Sequence, residues 1–150
     1  MIKISTRGRY GLRIMLELAR NYDLASVQAD AIAKNQEISA NYIHLLVKEL
    51  KQAGLIKAVR GPNGGYALAR HPSAINAYEI IAALEGTAGI VECTGSAGVC
   101  SRSASCVARQ VWQKVDEAIK GVLTGINLEE MAGKPGLHLY LGNNQLDFQI

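Results

Sequence analysis

Residues 39–69, SANYIHLLVKELKQAGLIKAVRGPNGGYALA, decide the fold. Ile43, Leu46, Val47 and Leu50 recur at i, i+3, i+4 and i+7, the spacing of one apolar face of an α-helix. Ser39 stands where an N-cap is needed, and Gly54 stands where a left-handed residue closes a helix, so a helix is predicted over Ala40–Ala53. Leu55–Val59 then alternates like a strand. Arg60-Gly61-Pro62-Asn63-Gly64-Gly65 reads as a hairpin turn, and Tyr66–Ala69 as the returning strand.

Upstream, Val27–Asn35 is predicted as a short helix capped by Ser26, with Val27, Ala31 and Ile32 inward. Asn35-Gln36-Glu37 is the polar turn before the next helix. Before it, Tyr10, Ile14 and Leu18 mark a helix from Thr6 to about Asn21, with Arg7, Arg9, Arg13 and Arg20 along it. Helix, tight turn, helix and β-hairpin is the order of a winged helix-turn-helix. The fold class is therefore mainly α with a small β-hairpin wing.

Downstream, Asn76 caps a helix over Ala77–Glu85, with Ile80, Ile81 and Leu84 inside. Gly86–Cys106 is rich in Gly, Ser and Ala and contains all three cysteines. A helix follows over about Val107–Leu123, roughly 25 Å long at 1.5 Å per residue. Its stripe of Val107, Val111, Val115, Ala118 and Val122, flanked by Trp112 and Ile119, needs a partner. In so short a chain the nearest source is a second copy, which makes this a dimerisation helix and the protein a homodimer. Burial against its own domain is the other reading. Asn127-Leu128-Glu129-Glu130 reads as a capping box opening a last helical turn. Three regions result: 1–70, a DNA-binding domain; 71–132, the cysteine loop and dimerisation region; and 133–150, a tail without firm periodicity.

Charge divides along the same line. Of 150 residues, 1–70 contain 11 Lys/Arg against 5 Asp/Glu, and 71–150 contain 5 against 8. A basic first half suits a polyanion such as double-stranded DNA. In a helix-turn-helix the second helix enters the major groove. With its apolar face buried, Asn41, His44, Leu45, Lys48 and Gln52 face outward. Asn41 suits an adenine edge, and His44 and Lys48 can reach bases or phosphates. Ser39 and Tyr42 can position the backbone. Arg60, beside Asn63 and Gly64 in the wing, suits a narrow minor groove, and Gly64 and Gly65 either keep bulk away or supply positive φ. Arg7, Arg9 and Arg13 add phosphate contacts, which set affinity and not sequence choice. Solvated helix residues are the plain alternative for each.

The cysteines run Cys93-x6-Cys100-x5-Cys106. An odd number argues against a disulfide scaffold, and the close cysteine pair of structural zinc sites is absent. Three soft donors on a loop suit an iron–sulfur cluster or a redox thiol switch. Cys106 opens the following helix, where the macrodipole favours an anion. Cysteines buried for packing are the alternative. There is no hydrolase triad, no His/carboxylate pair at useful spacing and no phosphate-binding loop, so no enzyme is expected. No apolar run reaches membrane-spanning length, and the basic N-terminus lacks a signal-like apolar segment, so a cytoplasmic protein with no membrane contact is expected.

Together, IKISTRGRYGLRIMLELA (2–19), VRGPNGGYALAR (59–70), YEIIAALEG (78–86) and the triplet Cys93/Cys100/Cys106 followed by Trp112 resemble the Rrf-type winged-helix transcription regulators. The resemblance covers about residues 1–132. It implies dimers in which the long helix crosses to the partner and which bind palindromic operators. It also implies, in many members, a 2Fe–2S or 4Fe–4S cluster held by the three cysteines and sensing iron–sulfur, iron, nitric oxide or redox status. Other members have no cluster. In one branch a His three residues after the last cysteine completes the ligand set; here that residue is Arg109. In another it is a carboxylate near the start of the partner's first helix; here the stretch is Arg7-Gly8-Arg9. Glu92, His44, His71, His138, a backbone or small-molecule ligand, or nothing, remain for the fourth place. The rival readings are a cluster-free regulator responding by thiol oxidation or persulfide formation, and an interaction module that binds a metabolic enzyme instead of DNA.

Overall fold

The computed structural model describes residues 3–24, 26–86, 89–96 and 98–133. The tail beyond Gly133, including His138, lies outside the described residues.

Helix α1 (Thr6–Arg20) begins at Ser5, whose hydroxyl accepts from the N–H groups of Arg7 and Gly8. Helix α2 is Ala29–Gln36, and α3 is Ala40–Gln52. Between them Glu37 takes the left-handed conformation, φ 54°, which turns the chain sharply enough to bring α3 across α2. Ser39 caps α3 as expected, accepting from Tyr42 N–H at 3.3 Å, and Gly54 at φ 71° stands just past its end. Strands β1 (Ile56–Val59) and β2 (Gly65–Leu68) form an antiparallel hairpin with Ile56 opposite Leu68 and Val59 opposite Gly65.

The start of α2 differs from the sequence expectation. Ser26 is not a cap: its hydroxyl donates to the Asn63 carbonyl of the wing at 2.9 Å. Val27 is not helical, because it makes an isolated antiparallel bridge with Tyr66, donating and accepting at 2.9 Å. Gln28 then occupies the N-cap position without a side-chain bond, and Ala31 faces solvent while Ile32 is buried. The backbone of Val27 gains two hydrogen bonds to the wing that a helical first turn would not give it.

Helix α4 (Ala77–Glu85) opens with a full capping box between Asn76 and Glu79. Ile80 and Leu84 are buried, and Ile81 only half so. Within the cysteine loop a short helix α5 (Glu92–Gly95) forms, which the sequence did not indicate. Helix α6 (Val107–Thr124) and the short α7 (Leu128–Ala132) complete the described chain. Asn127 caps α7 by accepting from Glu130 N–H at 2.9 Å. Helix α7 is tied back to α4 by Ala77 N–H to Ile126 O and Leu128 N–H to Ile75 O, both 2.9 Å.

One continuous aliphatic core joins Ile14 and Leu18 of α1, Ile32 of α2, Ile43, Leu46 and Leu50 of α3, Ile80 and Leu84 of α4, and Leu128 of α7. It packs α1, α2 and α3 against α4, the helix that leads to the cysteine loop. Glu17 is buried among these groups, 7% exposed. Its carboxylate accepts from the side-chain amides of Asn35 and Gln36, each at 2.8 Å, and of Asn21 at 3.4 Å. The charge is thus solvated by three amides, which lock the end of α1 to the end of α2.

Candidate nucleic-acid interface and cysteine loop

Burial of Ile43, Leu46, Val47 and Leu50 turns the opposite face of α3 outward, and Asn41, His44, Leu45, Lys48 and Gln52 are all exposed there. Tyr42 is half-buried, edge-on to Tyr10 at 5.9 Å between ring centroids. His44 is tied to the wing: its Nδ1 lies 2.9 Å from the Tyr66 hydroxyl. Arg60 and Asn63 are exposed in the wing, where Gly64 N–H closes the turn onto Gly61 O at 2.9 Å.

The wing glycines divide their roles. Gly61 has the positive φ of 120°, whereas Gly64 and Gly65 are not in that region. They are needed for space: a Cβ on Gly64 would stand 2.8 Å from Gly61 O, and one on Gly65 2.6 Å from the Val27 carbonyl carbon.

The arginines of α1 have separate environments. Arg7 pairs with Glu49 of α3. Arg13 donates to the Gln36 side chain at 3.2 Å and to its carbonyl, and lies 5.4 Å over the Tyr10 ring. Arg9 is exposed and bonds within its own helix, to Thr6 at 3.2 Å. Two ties carry no signal in the sequence: Glu17, an acid on an amphipathic helix, and Tyr66, marked only by strand propensity.

The cysteine loop is strapped to α6 at both ends. Ile90 N–H donates to Asp116 at 2.8 Å. Arg109 donates through Nε to the Cys93 carbonyl at 2.8 Å and through Nη1 to the Ser103 carbonyl at 3.3 Å. Cys93 and Cys106 are half-buried, Cys100 is exposed, and all three are free thiols. Cys106 is the N-cap residue of α6. Among the described residues no three metal-binding side chains gather at one point. Glu92 opens α5 and is exposed, His44 is engaged by Tyr66, and His71 bonds Ser73 at 2.8 Å and packs edge-on to Tyr22. The thiols therefore match an iron–sulfur cluster in donor chemistry, but as arranged they do not form a complete site, and Arg109, whose guanidinium offers no lone pair, occupies the position that one branch of the resembled regulators fills with His.

No described residue of α6 is buried. Val107 is 72% and Val111 54% exposed, on a stripe continued by Trp112 and Val122. Between α4 and α6 runs an open groove of about 1070 Å³, lined by Tyr78, Ile81, Trp112, Ile119 and Leu123 among others. No described helix is long and apolar enough to cross a membrane.

Comparison with known proteins agrees with this architecture. Residues 4–134 match the family described as Rrf2, iron-dependent transcriptional regulator. The HTH-type transcriptional regulator CymR of Bacillus subtilis (strain 168) is 39% identical over 131 residues, covering 87% of this chain and 90% of the relative. The solved structure of CymR, described as the global cysteine regulator of B. subtilis, superposes with a TM-score of 0.73 over 89% of this chain and 98% of that one. T. potens IscR, 36% identical, gives 0.72 over 87% and 86%. The oxidized form of Staphylococcus aureus CymR, 34% identical, gives 0.72 over 90% and 99%. With a winged helix presenting an open recognition face and relatives of this length and identity that are transcriptional regulators and not enzymes, the chain belongs to the Rrf2 family of transcriptional regulators.

Proposed function

We propose that this protein is a homodimeric, DNA-binding transcription regulator whose hold on a palindromic operator is set by the state of the Cys93/Cys100/Cys106 loop. The observation that carries the reading is the strapping of that loop to α6 by Arg109 and Asp116, while its upstream end is continuous with α4. Helix α4 shares its core with α1 and α3, so a change in the loop reaches the recognition elements through packed helices. Residues 1–70 make the DNA contacts, with Ser39, Asn41, Tyr42, His44 and Lys48 of α3 at the major groove and Arg60, Asn63 and Gly64 at the wing. Arg7 and Arg9 stand at the phosphates. Residues 71–132 sense and dimerise through the uncovered face of α6. The protein works in the cytoplasm, where its DNA is.

In the first reading Cys93, Cys100 and Cys106 hold an iron–sulfur cluster, which supplies a redox- and iron-sensitive group; the iron-dependent family description and the IscR relative support it. The second reading, a cluster-free thiol switch, is favoured by Arg109 in place of a fourth donor and by the likeness to CymR, including its oxidized form. Either shift requires only a few kcal/mol of differential stability.

Iron and sulfide analysis of anaerobically prepared protein separates the readings: stoichiometric iron and sulfide support the first, and their absence with disulfide or persulfide adducts by mass spectrometry supports the second. Salt-dependent binding to a genomic promoter fragment, with the triple Cys→Ser variant as control, tests the whole. A triple variant that binds like the wild type in air, without air and under nitric oxide overturns the sensing role.

A further inference from the structure

The contact between His44 and Tyr66 joins the recognition helix to the wing, and its chemistry bears on what the helix can read. We propose that the Tyr66 hydroxyl fixes His44 as a hydrogen-bond donor through Nε2, and that this donor selects a guanine edge in the major groove. The inference rests on the DNA-binding reading and adds a specificity determinant to it.

Tyr66 is a rigid mount. Its N–H and carbonyl are both bonded to Val27 at 2.9 Å, it pairs with Ala58 across the hairpin, and Gly65 beside it packs directly on the Val27 backbone. These bonds anchor the backbone from which the half-buried phenol projects, so the hydroxyl is offered to α3 from a fixed strand. His44 is exposed on the outer face of α3, with Nδ1 2.9 Å from that hydroxyl and the two rings 6.2 Å apart at 72°. Because Nδ1 is occupied, only Nε2 is left for a partner. The proton of the second ring nitrogen follows the bond made by the first. A phenol is the better donor and an imidazole nitrogen the better acceptor, so the hydroxyl donates to Nδ1 and the ring proton resides on Nε2.

A single donor discriminates among base edges. Guanine presents two adjacent acceptors, N7 and O6, with no donor between them. Adenine places an amino donor beside N7, thymine flanks O4 with a methyl group, and cytosine offers only its amino donor. The expected preference is guanine at one position in each half-site, by about fivefold, the worth of one net hydrogen bond.

Two measurements on the full chain test this. Nitrogen-15 NMR of the neutral His44 ring should show a bare Nδ1 and a protonated Nε2, and Tyr66→Phe should move it towards a tautomer mixture. The reverse tautomer overturns the proposal. Selection from a randomised duplex pool should give a guanine-preferring position that is lost in His44→Ala and weakened in Tyr66→Phe, with other positions and the thermal midpoint unchanged. Retained binding with an unaltered profile in His44→Ala overturns this assignment alone. A wild-type chain that binds no duplex overturns the DNA-binding reading and this assignment with it.

Discussion

The carboxylate of Glu85, the last residue of α4, accepts the N–H of Gly8 in the first turn of α1 at 3.1 Å, and also the Ser5 hydroxyl. One residue later Gly86, at φ 85°, turns the chain towards the cysteine loop. The approach to the cysteine loop and the N-terminal cap of α1 therefore share a residue. Arg7, between Ser5 and Gly8, pairs in turn with Glu49 of the recognition helix. Gly8 permits the approach, since a Cβ there would stand 3.3 Å from Ile81 and press on Glu85. Replacing Glu85 by Ala should cost about 1 kcal/mol, the usual worth of a capping acceptor, read as a lower urea midpoint at constant slope. Glu85→Gln, which keeps an acceptor oxygen, should cost less.

Gly65→Ala should be far more damaging than a glycine-to-alanine change on a surface hairpin suggests. The added Cβ meets backbone, with the Gln28 nitrogen at 2.9 Å and the Val27 carbonyl carbon at 2.6 Å, so no side chain can swing aside. Strand β2 must part from Val27, breaking both bonds between Val27 and Tyr66. A loss of about 3 kcal/mol is expected from thermal or urea unfolding. A variant as stable as the wild type would show that the wing does not pack as described.

Arg109→Ala should leave global stability nearly unchanged and loosen the loop. Both bonds of the guanidinium go to loop carbonyls, Cys93 O and Ser103 O. Losing about 1 kcal/mol of local closure raises the open population about fivefold. The alkylation rate of half-buried Cys93 should rise by that factor, while the already exposed Cys100 changes little. Mass-resolved iodoacetamide labelling distinguishes the sites.

The helices were legible because their signals are local. The i, i+3, i+4 spacing of α3, the caps Ser39 and Asn76 and the turn before Gly65 all lie within a few residues of what they specify. The start of α2 was not legible: Ser26 and Val27 look like a helix opening, and what diverts them is a wing strand nearly forty residues away. The Glu17 site was hidden for a related reason. A glutamate on an amphipathic helix reads as solvent-facing, and only the fold brings Asn35 and Gln36 against it. Arg109 binds carbonyls, which every residue has, so its partners leave no mark in the sequence. The outward residues of α3 followed directly from the buried ones, but the link from His44 to Tyr66 needed the wing in place.

The apolar stripe of α6 is exposed at Val107, Val111 and Val122, and Val111 in particular supports no described core residue. Val111→Glu should therefore leave the fold intact; glutamate is also the better helix former. In a two-fold dimer packed along α6 the change places a carboxylate in the interface on each side, offset in part by Lys114 three residues on along the same helix. Desolvating such charges costs several kcal/mol, enough to raise the dimer dissociation constant at least about a hundredfold. Sedimentation at micromolar concentration should show a dimer for the wild type and a monomer for the variant, with equal helical content by circular dichroism and a thermal midpoint lowered only by the lost linkage to association. Affinity for a palindromic duplex should fall as well, because each half-site would then be bound separately. A variant that sediments as a dimer would place the contact on another face and leave the groove between α4 and α6 open in the assembled protein.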